Sequence, residues 1–164
     1  MSRYAETFIR SKLAGAGDAR PTALQIIQDE NLVNKLTDKI FLITGVSSGI
    51  GIETMRALHA TGAHVFGTVR SLEKGQPIAD EILKSNPSGG KITLIHMELD
   101  SLSSVRAGAA DFLAKSGGKL NALVNNAGIM AVPFKLSIDG IEMQFATNHV
   151  GEGPLRSIAV QGKF

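Results

Sequence analysis

The sequence predicts an α/β fold built on a doubly wound parallel sheet. Three observations carry that expectation. Short apolar runs alternate with helix-patterned segments, the stretches between the runs are long enough to hold crossover helices, and a glycine-rich turn joins the first apolar run to the first long helix. Parallel strands require such crossovers, nearly always right-handed, so the alternation leaves few other topologies.

Residues 1–35 are expected to form a mobile leader followed by one short helix. Ala14-Gly15-Ala16-Gly17-Asp18 reads as a flexible stretch, Pro21 follows, and apolar spacing resumes through Leu24, Ile27, Leu32 and Leu36. Arg3, Glu6, Arg10, Lys12 and Asp18 break up any apolar run of the kind a secretory signal carries. Ile40-Phe41-Leu42-Ile43 has the texture of a strand buried on both faces. A helix is expected over 52–60, with Gly62 where a C-terminal cap belongs. The alternation then repeats: strand 64–69, helix 77–85, strand 92–98, helix 104–115, strand 122–125. The last periodic segment, 141–150, predicts a helix that stops early. Gly151, Gly153 and Pro154 follow it, and a proline inside a helix costs about 3 kcal/mol.

Composition sets further bounds. A chain of 164 residues with 43% hydrophobic and 20% charged residues suits one ordinary globular domain. Seventeen Lys and Arg against fifteen Asp and Glu leave a net charge of only +2, which argues for no nucleic-acid partner. The absence of cysteine excludes disulfides, thiolate-bound zinc and thiol nucleophiles, and suits a reducing compartment, with the cytoplasm as the expected location. No apolar stretch is long enough for a membrane span. His59, His64, His96 and His149 show no metal-ligand spacing, so no metal is expected. No Gly-x-Ser-x-Gly elbow supports a hydrolase.

The strongest functional signal is Thr44-Gly45-Val46-Ser47-Ser48-Gly49-Ile50-Gly51, directly after the first strand. Glycines let the backbone turn tightly and let phosphate oxygens approach where a Cβ would block them. The helix N-terminus supplies free N–H groups and about half a positive charge. Ser47 and Ser48 add hydroxyl donors. The spacing differs from the common dinucleotide fingerprint, placing three residues between the first two glycines.

With this turn and Asn125-Asn126-Ala127-Gly128 after the fourth strand, the chain resembles the short-chain dehydrogenase/reductase family from about Leu36 to Gly151. The wording around Thr68-Val69-Arg70 and the Asn148 helix resembles retinol-dehydrogenase-like members. The resemblance implies a Rossmann-like sheet, incomplete at about four strands, that binds a nicotinamide cofactor through Thr44, Gly45, Ser47, Ser48, Gly49, Ile50, Gly51, Asn126, Ala127 and Gly128. It places Asp100 beside the adenine ring and gives Asn148 a catalytic part, ordering a proton relay. Arg70 stands at the end of the second strand, where NAD-binding members carry an acidic residue. An arginine there suits a 2′-phosphate, so NADP is expected over NAD.

The sequence also departs from the family. Its hydride transfer relies on a serine after the fifth strand and a Tyr-x-x-x-Lys pair, and neither is present. The one tyrosine, Tyr4, precedes the first strand and is followed by Phe8 at the fourth position. The expected domain plan is therefore a leader over 1–35, an NADP-binding domain over 36–151 and a divergent tail over 152–164. A truncated product, catalytically incomplete, is one reading. A second is a non-catalytic module that binds cofactor or pairs with a like or unlike chain through an uncovered sheet edge, and a third is a fragment of marginal fold with no stable function.

Overall fold

The structure, a computed structural model, describes residues 3–15 and 17–161; Met1, Ser2 and Ala16 of the leader and 162–164 of the tail lie outside the described residues. Four parallel strands form one sheet: β1 (Ile40–Ile43), β2 (His64–Val69), β3 (Ile92–His96) and β4 (Ala122–Val124), in the order β3-β2-β1-β4. The register pairs Leu42 with Phe66 and Leu123, and Phe66 with Thr93. The expected α/β doubly wound architecture is the one observed.

Alternation along each strand gives the sheet two apolar faces, and each face has its own helical cover. Leu42, Phe66 and Ile95 pack on Val105, Ala109 and Phe112 of α4 (Leu102–Ser116) and on Leu155 of α6 (Glu152–Gln161). Phe66 and Phe112 meet edge to face at 5.0 Å between ring centroids, a favoured aromatic geometry. On the other face Ile43, Val65 and Val69 pack with Met55 of α2 (Ile50–Ala60) and Ile82 of α3 (Leu72–Ser85). Ile27 of α1 (Ala23–Asp29) adds an outer layer against Ala57 and Ala60 of α2.

Caps explain several helix starts. The Thr22, Ser71 and Ser101 side chains accept the N–H groups of Gln25, Lys74 and Ser104, each satisfying a donor that the helix leaves free. The Ser71 cap starts α3 five residues before the expected position, so Pro77 lies inside the helix rather than at its start. Helix α1 ends at Asp29, beyond which Asn31 and Asn34 adopt positive φ and turn the chain. The described part of the leader folds into two single 3₁₀ turns, Ala5–Phe8 and Arg10–Lys12, and the Tyr4 hydroxyl donates to Asp29 at 2.7 Å.

One expectation is overturned. The helix that should have stopped at 150 continues: α5 (Met143–Phe145) runs into a π-turn, Ala146–Val150, and then into α6. Gly151 N–H donates to the Ala146 carbonyl, five residues back. Widening the turn there re-aims the chain, and Pro154 then falls in the first turn of α6, where a missing N–H costs little. Leu155, at 1% exposure, is part of the main core, so the described tail is packed structure.

Candidate cofactor-binding site

Strand order places the site. From β1 the chain winds outward through β2 to β3, then returns to set β4 on the other side of β1. The reversal opens a crevice beyond the carboxyl ends of β1 and β4, the position where open α/β sheets bind ligands. A cleft of about 1030 Å³ lies there.

The turn after β1 forms one wall. Gly45 and Gly49 have φ of 71° and 62°, which a side chain would strain. Space is equally restrictive: a Cβ on Gly45 would stand 2.8 Å from Ala127 Cβ, and one on Gly51 would stand 2.2 Å from the Gly45 carbonyl oxygen and 2.7 Å from Asn126 Nδ2. These glycines let the turn, the start of α2 and the Asn125–Gly128 segment nest together. Among the described residues the N–H groups of Ser47, Ser48 and Gly49 find no acceptor within the chain. Free N–H groups at a helix N-terminus make a cradle that suits an anion.

A small hydrogen-bond network locks the two loops. Thr44, fully buried, receives the N–H groups of Asn126 and Ala127 on its hydroxyl, each at 3.0 Å. Asn126 Nδ2 donates to the Thr44 carbonyl at 2.9 Å and the Gly45 carbonyl at 3.1 Å. From β2, the Thr68 hydroxyl accepts Gly45 N–H at 3.3 Å and the Thr68 carbonyl accepts Val46 N–H at 3.1 Å.

Of the residues singled out from sequence, Gly45, Ser47, Ser48, Gly49, Ile50, Gly51, Arg70, Asp100, Asn126, Ala127 and Gly128 all line the cleft. Thr44 lies beneath it. Arg70 is exposed at the end of β2, and among the described residues it has no ion-pair partner. Asp100 is half-buried after β3.

Asn148 does not line the cleft. Its side chain holds the strap after β4: Asn148 Oδ1 accepts Ile129 N–H and Asn148 Nδ2 donates to the Ile129 carbonyl, each at 2.8 Å. Four residues earlier, Gln144 Oε1 accepts Ala131 N–H at 2.9 Å and steadies Ala131 at a positive φ of 56°. Glu142 caps this helical start by accepting the N–H groups of Gln144 and Phe145, which hold its carboxyl below the usual range. Sequence reasoning missed Gln144, although its i, i+4 spacing to Asn148 is a signal that both work on one segment. It also missed Thr68, and the apolar far end of the cleft at Ile129, Val132, Phe134 and Met143.

Tyr4 stands apart from this arrangement. Its hydrogen bond to Asp29 pushes the phenol above its ordinary pKa, the opposite of what proton transfer near neutrality requires.

Comparison with known proteins agrees with the geometry. Residues 39–152 match the family model described as short chain dehydrogenase. The chain is 48% identical over 149 residues to the short-chain dehydrogenase/reductase prx1 of Penicillium roqueforti, covering 91% of this chain and 42% of that protein. It is 38% identical over 117 residues to mouse (Mus musculus) retinol dehydrogenase 12, covering 71% of this chain and 36% of the relative. Among solved structures, a metagenomic short-chain oxidoreductase crystallised with NADP is similar at a TM-score of 0.65 and 28% identity, covering 76% of this chain and 55% of that one. The chain thus spans less than half the length of these two curated relatives. With the glycine turn, the Asn-Asn-Ala-Gly segment and the strand order in place, the chain belongs to the short-chain dehydrogenase/reductase family.

Proposed function

We propose that this chain binds NADP(H) as the cofactor-binding part of a short-chain oxidoreductase. The observation that carries the reading is the cleft at the switch point. Among the described residues its glycine turn offers unpaired N–H groups, and an exposed arginine without an ion-pair partner ends the neighbouring strand. The diphosphate would lie on the N–H groups of Ser47 to Gly51, and Arg70 would meet the 2′-phosphate. Asp100 would face the adenine, and Asn126, Ala127 and Gly128 would line the ribose and nicotinamide side. When bound, the cofactor supplies the hydride.

Turnover by this chain alone is not part of the proposal. General acid–base help is worth ~10²–10⁴-fold, and the serine and Tyr-x-x-x-Lys that would give it are absent from the sequence. Asn148 is spent on the Ile129 backbone, so its part in catalysis would be to hold that strap. A second reading, a non-catalytic module that binds cofactor or a partner, is supported by Tyr4 being engaged with Asp29 outside the cleft. The cysteine-free composition is compatible with a reducing setting, and the cytosol is the proposed compartment.

Thermal unfolding without ligand, with NADPH and with NADH tests the binding claim. Ligand at a hundred times its Kd stabilises by about 2.7 kcal/mol, which should raise Tm by roughly 5–10 °C for a domain of this size. A larger rise with NADPH than with NADH is expected. A cooperative transition that neither cofactor moves sinks the proposal.

A further inference from the structure

Glu152 is the only buried acidic residue among the described residues, at 5% exposure. Its place depends on Gly151, whose bare Cα passes the end of the β3 segment: a Cβ there would stand 2.2 Å from the Leu99 carbonyl oxygen. That close approach brings the first turn of α6 under the end of β1. Glu152 Oε1 accepts the Thr44 hydroxyl at 2.8 Å, while Oε2 has no hydrogen-bond partner.

The Thr44 hydroxyl has one proton and two lone pairs. The Asn126 and Ala127 N–H groups occupy both lone pairs, and the proton goes to Glu152. The three bonds are mutually determining. With no acceptor at Glu152 the hydroxyl is free to rotate, and it then cannot hold both amides. We propose that Glu152 is a positioning residue of the cleft: by accepting the Thr44 proton it aims the Thr44 oxygen at the Asn126 and Ala127 amides and fixes the 126–128 segment against the glycine turn. Calling this a cofactor cleft rests on the reading above; the coupling among Glu152, Thr44 and the two amides does not.

Burial pushes the Glu152 carboxyl above its ordinary pKa, and the Thr44 hydrogen bond opposes that rise. Among the described residues Thr44 is the carboxyl's one hydrogen-bond partner. Asp100 beyond Leu99, Arg106 and Asp111 on α4 and His149 in the π-turn make no hydrogen bond or ion pair with it. Its ionisation is therefore expected to be felt at the two amides through the Thr44 hydroxyl.

The test uses the full chain without cofactor, ¹⁵N-labelled, with amide resonances followed from about pH 4 to pH 9. In the parent, the Asn126 and Ala127 amide shifts should inflect together at a carboxyl pKa above that of an ordinary glutamate. Glu152→Gln keeps an acceptor for Thr44, so exchange protection at both amides should persist while the inflection disappears. Glu152→Leu removes the acceptor, and hydrogen exchange at the two amides should quicken about tenfold while β2 and β3 stay protected. Parent amides that show no inflection, or unchanged exchange in a folded Leu variant, overturn the proposal. If the Leu variant does not fold, the parent and Gln variant decide it alone. A separate NADPH titration keeps the two readings apart, because a parent that binds no cofactor sinks the cofactor reading and leaves the amide result standing.

Discussion

At Arg70, backbone position and side-chain chemistry favour the same ligand group. The strand end brings the guanidinium to the rim of the cleft, where no carboxylate among the described residues forms an ion pair with it. A planar, permanently charged fork suits a phosphate monoester, and hydrogen bonds to charged groups are worth about 1.5–3 kcal/mol. Arg70→Asp should weaken NADPH binding by roughly 10–100-fold and weaken NADH binding far less, since the new carboxylate can accept ribose hydroxyls. Calorimetric titration of both cofactors checks this, and equal losses for the two would remove Arg70 from the proposed role. Arg70 was legible in the sequence because its distance from the glycine turn fixes its place at a strand end. Glu152 was not, since nothing in its local sequence says that a chain 108 positions away supplies its partner.

The end of α2 shows how elements are joined. His59, in the last turn, is 1% exposed, and among the described residues neither ring nitrogen makes a hydrogen bond of good geometry, the Gly90 backbone being the polar group that acts on it. Gly89 lies over the ring, where a Cβ would stand 2.2 Å from Cε1, and Gly90 N–H donates to the His59 carbonyl at 2.9 Å. Burial holds the imidazole below its ordinary pKa, against a smaller opposing pull from the Gly90 backbone. The unfolded chain takes up a proton near pH 6.5 that the folded chain refuses, so this group destabilises the fold progressively as pH falls below about 6.5 and has no such effect above it. Up to ~1.4 kcal/mol per pH unit is at stake in that window. His64, also held down by burial, acts in the same direction, and Glu152, whose carboxyl burial raises, acts in the opposite one. The difference between parent and His59→Leu isolates the one group. Denaturant unfolding at pH 7.5 and at pH 5.5 should show the parent losing more stability than the variant, and equal losses would refute the assignment. The four strands and the helices between them were legible from apolar period, whereas α6 was not. The ends were not: capping by Ser71 and the π-turn at 146–150 moved boundaries that propensity placed elsewhere.

For the whole molecule, the sheet has two edges, β3 and β4. Strands β3 and β4 each pair with one neighbour, and β4, beside β1, exposes Ala122. Nearby segments expose Met130 at 87%, Phe134 at 82% and Ile138 at 84%. An unpaired edge beside apolar surface invites strand addition. We propose that the chain associates through this edge, and sedimentation velocity over a concentration series is expected to show self-association. Ala122→Lys, a charge on the exposed edge, should shift the distribution toward monomer without lowering Tm by more than ~1 kcal/mol equivalent. A monomer at every concentration would rule the edge out as an interface.

The sequence by itself determined the alternating α/β order, the buried parallel sheet and the glycine turn, because periodicity and glycine spacing are local properties that packing here had no cause to override. The resemblance implied a Rossmann-like sheet of about four strands; the order β3-β2-β1-β4 and the crevice it opens are read from the fold. Tertiary structure alone decided what Thr44 touches. It carried the chain through a π-turn at 146–150 and set Gly151 against the Leu99 carbonyl. It thereby turned an apparent tail into the helix that buries Leu155 and delivers Glu152 to the end of β1. The physical reason is that a buried polar group is placed by its partners, and those partners come together only when distant strands and helices pack.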